Sequence, residues 1–599
     1  MILQSLYSYY QRNPDLPREG FEWQEIPFVI ELSQDGSVIQ IEDTRTQQGK
    51  WRRAKSFLVP KAPKKSSNVG SSLLWGNAEY AMGLPDPKKL AERKRKGKEV
   101  GYKKRLKDMH AEFVHRITAL LDAGKTDVGI QTVLRFCERM DFADLQRFGD
   151  RWKEIRDSNP NITFRMQGDV DLICQRPTVA EAVANAAIMQ TSDGVCLVTG
   201  SPDEIERLHP AIKGVRDART SGANIVAVND GENPAFASYG KHQGYNSPIG
   251  KHAAFQYATA LNSLLAKDSR QRIYVGDATT VFWADKPNPL EDKFADIFDE
   301  PPKDDPDRNA RALKALYEAP FQGIAPIKDI TTRFFVLGLG PNGPRIAIRF
   351  WHIGTVAELA HNIQRHFDDL RLVHGEREKP SLSLRSLLNA TALATVKYPK
   401  GDSDKVPPNL GGEVMRSILE CRPYPATLLQ GAVRRIRAEQ EVSYPRAAIV
   451  KACLNRTRQI HEKELTMSLD EDSTDVAYLL GRLFFVLEEA QWAAHSTKTN
   501  PGTNATIRDR FYGAASATPI TVFPQLLRLY PHHISKAAKS GRKGIAVRLE
   551  KLVDSITGKL PATNPFPSYM VISEQGRFAV GYYHQRHDFF SPNQSVQGE

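Results

Sequence analysis

Hydrophobic periodicity changes part-way along this chain. Up to about residue 375, short alternating runs and strand–turn–strand patterns mix with helical stretches. From about 380 onward the strand patterns fade, and apolar residues recur at i, i+3, i+4 and i+7, as in AYLLGRLFFVLEEAQWAA and IAVRLEKLVDSITGKL. A chain of 599 residues is too long for one core. The expected fold class is an α+β N-terminal body, with mixed sheets, hairpins and helices, followed by an all-α C-terminal helical bundle. The expected divisions are 1–375 for the α+β domain, 376–466 for a helical connecting region and 467–599 for the bundle. No short-period repeat is visible, which disfavours a solenoid.

Within the first part, PFVIELSQDGSVIQIED reads as a hairpin turning at Asp35-Gly36, because the turn needs positive φ. WRRAKSFLVPKAPKKSSNVGSSLLWGN reads as loop from its Pro, Ser and Gly content. The next stretch, from PDPKKL, reads as a solvated basic run that becomes an amphipathic helix at Phe113, Ile117 and Leu120-Leu121. Further on, TFRMQ and DLICQ suggest short strands, TVAEAVANAAIMQ a helix, GVCLVTG a buried strand and ANIVAVND another strand. SPDEIERL carries a capping-box pattern with Ser201 at the N-cap, Pro202 at N1 and Glu204 at N3.

Charge is concentrated. The chain holds 82 Lys+Arg against 70 Asp+Glu, a formal net charge of +12. Residues 50–107 alone carry 18 basic and four acidic side chains, so the rest is close to neutral. Within 88–107 there are 11 basic residues and two acidic ones. Such a run can be a merely solvated face, but closely spaced like charges repel one another without an anion, which favours a nucleic-acid partner. The composition, 41% hydrophobic and 25% charged, is that of a folded soluble protein. No stretch approaches the ~18–20 apolar residues of a membrane helix. The opening MILQSLYSYYQRNPD has neither a basic n-region nor a small-residue cleavage site, so no secretory signal and no membrane partner is expected, and the expected location is cytoplasmic. Cys137, Cys174, Cys196, Cys421 and Cys453 lie far apart without a CxxC, which argues against a zinc ribbon or a disulfide scaffold.

No catalytic constellation emerges. Gly338-Leu339-Gly340-Pro341-Asn342-Gly343 matches GxGxxG, yet a dinucleotide site needs a helix at the last glycine, and RIAIRFW alternates as a strand does. The glycines are expected in a hairpin turn. His584, His587 and His532-His533 have no carboxylate or cysteine at ligand spacing. Asp169 and Asp171 alternate along an expected strand and would face opposite ways, whereas a two-metal nuclease needs converging carboxylates. HExxH, GxSxG and a P-loop are absent. No cofactor, metal ligand or catalytic residue is assigned. In NPAFASYGKHQGYNSPIGKHAAFQYATALN, hydrogen-bonding side chains surround Gly240 and Gly244; backbone approaches a partner closely at glycine, and Gln and Asn reach base edges. An ordinary polar loop would look the same.

Taken together, MILQSLYSYYQR, EIPFVIELSQDGSVIQIEDTR, SSLLWGNAEYAMGL, FASYGKHQGYNSPIGKHAAFQYATALNSLL, GDATTVFWAD, RPYPATLLQGAVRRIRAE, MSLDEDSTDVAYLLGRLFFVLEEAQ, ATIRDRFYGAASATP and GRFAVGYYHQRHDFF resemble, in order, the large subunit of the type I-C (Dvulg subtype) CRISPR Cascade interference complex. The basic run after Lys88 is the least family-like region. The resemblance implies a non-enzymatic subunit that recognises the protospacer-adjacent motif (PAM) in duplex DNA, helps unwind the target and supports R-loop formation. The guide crRNA then reads sequence by base pairing. Implied partners are target duplex and displaced strand, the crRNA 5′-handle-binding subunit, the repeated backbone subunit, a small subunit and a helicase-nuclease recruited in trans.

By position in the matching motifs, PAM-side contacts fall to Lys64, Lys65, Ser66, Asn68, Asn77, Tyr239, Lys241, Gln243 and Asn246. Backbone contacts fall to Arg52, Arg53, Lys55, Lys94, Arg95, Lys96 and Lys98 and, in the last part, to Arg508, Arg510, Lys536, Lys539, Arg542 and Lys543. The alternative from another class is a metal-dependent nuclease with a basic substrate groove. The resemblance also suggests a separate small subunit translated from within the reading frame. Met467 opens a 133-residue fragment on MSLDEDSTD, an expected helix start, and Glu462-Lys463-Glu464 upstream must be written as an unbroken purine run suited to ribosome binding.

Overall fold

The computed structural model describes residues 1–599 apart from 49–50, 64–68, 123–126, 189–191, 229–240, 303, 306, 310, 313–330, 377, 380, 400, 460–461, 496–505 and 592–599. Helix α1 (Ile2–Arg12) opens the chain. Two compact units form: one from Asn13–His209 with Val228–Thr259, the other from Met1–Arg12, Pro210–Ala227 and Ala260–Glu599.

The first unit begins with β1 (Phe21–Glu25), β2 (Phe28–Leu32), β3 (Val38–Asp43), β4 (Thr46–Gln48), β5 (Trp51–Arg53), β6 (Ser56–Pro60) and β7 (Trp75–Asn77). Helices α2 (Ala78–Ala81), α3 (Pro87–Arg95), α4 (Glu99–Asp122), α5 (Val128–Arg139) and α6 (Gly149–Ser158) follow, then β8 (Asn161–Met166) and α7 (Pro177–Ile188). The main sheet has the order β3-β2-β8-β7, with β2 and β8 parallel. As expected, β2 and β3 form a hairpin, with Gly36 at φ 91°. Phe28, Ile30, Phe113, Ile117 and Phe164 pack in the core with no exposed surface.

Several local expectations give way to tertiary pairing. The stretch read as loop contains β5, β6 and β7; β6 pairs with β1 in the register Trp23↔Leu58, and β5 with β4, so strand partners override composition. The basic run is helical from Pro87, because the Asp86 side chain accepts from the Lys88 and Lys89 amides at 2.9 and 3.2 Å and proline fits the first turn. DLICQ holds a single bridge and a 3₁₀ turn, Ile173–Gln175. GVCLVTG is no buried strand: β9 (Gly194–Val195) is two residues long, and Val195 and Leu197 are largely exposed. The Ser201 capping box caps nothing, since β10 (Pro202–Asp203) pairs back on β9 and Ile205 bridges Gly250. ANIVAVND contributes only bridges at Ala223 and Asn224 among its described residues.

After α8 (Lys251–Leu264), strands β11 (Arg272–Val275) and β12 (Ala278–Ala284) lead to α9 (Leu290–Phe298), and β13 (Arg333–Asn342) and β14 (Arg345–Thr355) complete an antiparallel meander in sequence order. The GxGxxG glycines serve this hairpin, though only Gly343, at φ 60°, sits in the turn. Gly338 lies within β13, where a Cβ would overlap the Phe350 ring, and at Gly340 a Cβ would stand 2.5 Å from Arg349 Nε. Both glycines make room for side chains of β14.

Every regular element described after Thr355 is helical. Thr355 and Glu358 form a capping box that starts α10 (Val356–Leu370). It is followed by α11 (Leu384–Ala390), α12 (Leu410–Leu419), α13 (Ala426–Glu439), α14 (Tyr444–Thr457), α15 (Val476–His495), α16 (Ile507–Ala515), α17 (Phe523–Lys539), α18 (Lys543–Thr557) and α19 (Ile572–Phe590). The α+β body followed by a helical region is therefore the observed fold class. MSLDEDSTD is not a helix start: residues 467–475 are irregular, and α15 begins at Val476 with the Asp475 carboxylate accepting from the Tyr478 amide at 2.8 Å.

Helices α15 and α19 approach through two glycines. A Cβ on Gly481 would overlap the Phe578 carbonyl oxygen, and one on Gly581 would overlap that of Tyr478. Gly481→Ala is expected to cost about 1–3 kcal/mol despite alanine's better helix propensity. Gly513→Ala in α16, where a Cβ meets nothing within 4 Å, should be neutral or stabilising by up to about 1 kcal/mol. Urea unfolding followed by circular dichroism separates the two.

Glu489 on α15 supplies a pH test. Burial, and then the neighbouring Glu488, raise its carboxyl from 4.5 to about 7, against the pull of Arg542 and Arg586. The folded state therefore holds a proton between those values that the unfolded state has released, and this contribution to stability is lost as pH rises through about 7. Glu489→Gln should flatten that dependence and raise stability at pH 8 by on the order of 2 kcal/mol, read as a shift in melting temperature against pH.

Candidate nucleic-acid interface

Helices α3 and α4 form a cationic hairpin turning at Gly97, whose φ is 64°. The second helix is anchored by Tyr102, Leu106, Met109, Phe113 and Ile117, all buried along one face. The first fully buries no side chain. Lys94, Arg95, Lys96 and Lys98 are exposed. Lys96 pairs with Glu92 at 2.6 Å and Lys103 with Glu99 at 2.7 Å, and hydrogen bonds from these lysines hold both carboxyls below their usual range. With Glu79 and Asp86 beside Lys89, these few acidic partners leave most of the run's charge facing solvent.

Beneath the hairpin lies Glu79, only 2% exposed. Its Oε1 accepts from Tyr102 Oη at 2.7 Å; its Oε2 accepts from Lys89 Nζ at 2.7 Å and Asn159 Nδ2 at 3.0 Å. Tyr102 Oη also accepts from the Asp86 amide at 2.9 Å, and burial followed by the bond to Glu79 raises its pKa. Asn77 caps α2, its Oδ1 accepting from the Tyr80 amide at 3.3 Å, and its Nδ2 donates to Glu79 at 3.4 Å.

Several of the other expected DNA contacts already have partners within the chain. Arg52 pairs with Asp43 at 2.9 Å and Arg53 with Glu25 at 2.8 Å, while Lys55 lies 5.3 Å from the Phe57 ring centroid. Lys64, Lys65, Ser66, Asn68 and Tyr239 lie outside the described residues. Lys241 is exposed, and Gln243, at φ 42°, accepts a hydrogen bond from Arg207. Asn246 Nδ2 donates to the carbonyls of Lys241 and Gln243 at 2.6 and 3.0 Å, bracing the loop from within. Gly244 admits the backbone of residues 206–207: a Cβ would overlap the Glu206 carbonyl. His252 fastens the same region, its Nδ1 lying 2.9 Å from Asp203 Oδ1, and partners Asp203 and Glu19 raise its pKa against the opposing effect of burial.

In the helical region, Arg510, Lys536, Lys539 and Lys543 are exposed. Arg508 instead lies 3.6 Å from Glu488, and Arg542 donates to the Ala493 carbonyl at 3.1 Å with its guanidinium 5.1 Å from the Trp492 ring centroid. The six expected contacts of this region thus divide into four solvent-facing cations and two engaged in packing.

No group of three or more His, Cys, Asp or Glu side chains able to hold a metal ion occurs among the described residues. Asp169 and Asp171 stand in a turn rather than along a strand; Asp169 pairs with Arg176 at 2.7 Å, and Asp171 is exposed. His584 is buried 2.9 Å from Tyr478 Oη, and burial pushes its pKa down to about 3, so it is a neutral packing histidine. His587 meets Ser591 at 3.1 Å. Glu79 and Arg207 carry no sequence signal, because nothing local marks a carboxylate or an arginine that will be buried against, or bonded to, residues far along the chain. Trp23, 54% exposed on β1, adds an aromatic face to this unit, and its one sequence signal is an aromatic upstream of a basic stretch.

An exposed cationic hairpin on an α+β unit, with a helical region after it in the chain, defines a basic protein that carries most of the charge of residues 88–107 at its surface. The sequence model of the CRISPR-associated protein (Cas_Csd1) family matches residues 6–590, and the chain belongs to that family. No curated protein matches the chain. No helix among the described residues is long and apolar enough to cross a membrane.

Replacing Lys94, Arg95, Lys96 and Lys98 together by Ala should weaken matched and unmatched duplex alike. It should lower the magnitude of the log–log salt slope by about 0.9 for each phosphate no longer neutralised. An unchanged slope in electrophoretic or fluorescence titrations would show the run to be merely solvated.

Proposed function

We propose that this chain is the large subunit of a type I-C RNA-guided surveillance complex, itself non-catalytic. It recognises the PAM in duplex DNA, helps open the target and supports the R-loop while guide crRNA pairs with the target strand. Its partners are the 5′-handle-binding subunit, the repeated backbone subunit, a small subunit and a helicase-nuclease recruited in trans. Family membership along residues 6–590 carries this reading. The exposed cations of α3 and α4 support it by supplying sequence-independent affinity, and the Gln243 loop offers polar side chains for motif contacts.

The test is binding by the assembled complex to duplexes with a correct or mutated motif, in the presence of divalent metal. Motif-dependent binding without cleavage by the purified chain is expected; robust cleavage would favour the nuclease reading instead. Gln243→Ala should reduce discrimination between motifs by about tenfold to hundredfold, since a hydrogen-bonded base edge is worth roughly 1–3 kcal/mol. A target already unpaired across the motif should suffer much less. Asn246→Ala, which removes the internal brace, should weaken both substrates together.

The proposed internal product starting at Met467 would keep its own opening segment in place. Arg482 donates to the Asp470 and Glu471 carbonyls at 3.3 Å, and Tyr478 Oη accepts from the Asp470 amide at 3.1 Å. Its α19 would lose cover, because Gly576 packs on Val450 and Leu454 and Arg577 pairs with Glu462 at 3.1 Å. Met467→Leu with synonymous recoding of the purine run should abolish the 133-residue fragment while the full chain persists, as an immunoblot against the C-terminus would show.

A further inference from the structure

We propose that Glu79 is the positioning residue of the cationic hairpin, fixing from inside the unit where α3 presents its charges to a DNA backbone. The inference rests on the nucleic-acid reading above. Helix α3 has nine residues, and an isolated helix of that length is marginal in water. It fully buries no side chain, and its end together with the C-cap residue, Arg93 to Lys96, is four consecutive cations. Leu90 is only half-buried, so apolar burial holds the helix weakly, and its charge does not fix its direction.

What ties it down is one carboxylate and its partners. Lys89 Nζ reaches Glu79 Oε2 at 2.7 Å and lies 3.8 Å from Asp86 Oδ2. Tyr102 bridges from the other side, donating to Glu79 and accepting from the amide of Asp86, the residue that caps α3. Glu79 is itself held at both ends: its side chain accepts from Asn159 Nδ2, and its amide donates to Asn159 Oδ1 at 3.1 Å. The last turn of α3 lies about 6–9 Å along the helix from Lys89, so loosening that one tether swings the whole cation cluster. Asn77, a candidate motif contact, touches the same carboxylate, which places base-side and backbone-side candidates on one support.

Charge counting and positioning predict opposite signs. Glu79→Gln removes a negative charge, so an unpositioned basic surface would hold duplex DNA equally well or more tightly. Positioning predicts about fivefold to tenfold weaker duplex binding near 0.1 M salt, with a shallower salt slope as several cations leave their phosphates together. A surface pair gives the second comparison without touching the core. Lys88→Met and Lys89→Met each remove one exposed lysine, but only Lys89 holds Glu79. Lys88→Met should change the slope by about 0.9 or less, and Lys89→Met by more. Amide hydrogen exchange over 86–96 in the full chain should lose protection in Glu79→Gln and Lys89→Met and keep it in Lys88→Met.

Equal or tighter binding by Glu79→Gln, indistinguishable slopes for the two lysine variants, or unchanged exchange over α3 would each overturn the positioning role and leave the nucleic-acid reading standing. A wild-type chain whose duplex binding responds neither to salt nor to the Lys94–Lys98 quadruple substitution would overturn that reading, and the inference with it.

Discussion

Arg456 and Asp369 face each other at 2.6 Å with 5% of each side chain exposed, and three helices, α10, α12 and α14, meet at them. Asp369 ends α10, the helix that lies on the meander sheet; Arg456 belongs to α14. The guanidinium also donates to the carbonyls of Ser417 and Arg422 at 2.9 and 2.8 Å, and stands 4.1 Å over the Tyr424 ring. Tyr424 Oη in turn meets His366 Nδ1 at 2.6 Å, and burial pushes that histidine down to about 3, leaving it neutral. A buried ion pair adds little net stability against an apolar substitute, but leaving one partner unpaired there costs about 3–5 kcal/mol. Its effect is to make one docking of α14 against α10 far better than its neighbours.

The two units manage charge in different ways. In the helical region, arginines are drawn inward: Arg482, 1% exposed, donates to Gln585 at 2.9 Å, and Arg446 is buried against Glu439 and the Ala390 carbonyl. In the smaller unit, the lysines and arginines of α3 and of the first half of α4 stay outside, over the buried carboxylate of Glu79. The first pattern specifies packing. The second leaves a surface whose like charges are relieved only by counterions or by an anionic partner.

What could be read from residues alone was the part governed by period and turn chemistry. The hairpin at Gly36, the amphipathic faces of α4 and α18 and the change to helix after Thr355 all follow from local patterns. The misreadings share one cause. Ser201-Pro202 has every mark of a helix start, but Asp203 is claimed by β9 and His252, and partners some fifty residues away are invisible locally. The candidate interface was legible as charge and illegible as geometry. Nothing in NAEYAM says that Glu79 will be buried beneath Lys89 and Tyr102, and nothing in KHQGYN says that Asn246 will spend its amide on its own loop.

The close crossing of α15 and α19 has a consequence for how the protein is made. These are the first and last helices of the segment from Val476 to Phe590, and each lacks side chains where it meets the other. Most residues of α15 are buried in the finished fold, yet its main partner, α19, is synthesised well after it. At about 5–20 residues per second, an apolar helix waits on the order of 5–20 s on the ribosome for its counterpart. During that interval its apolar surface lacks that partner, and any pause in translation between the two helices prolongs the exposure. Closure of this region is thus a timing problem as much as a packing one.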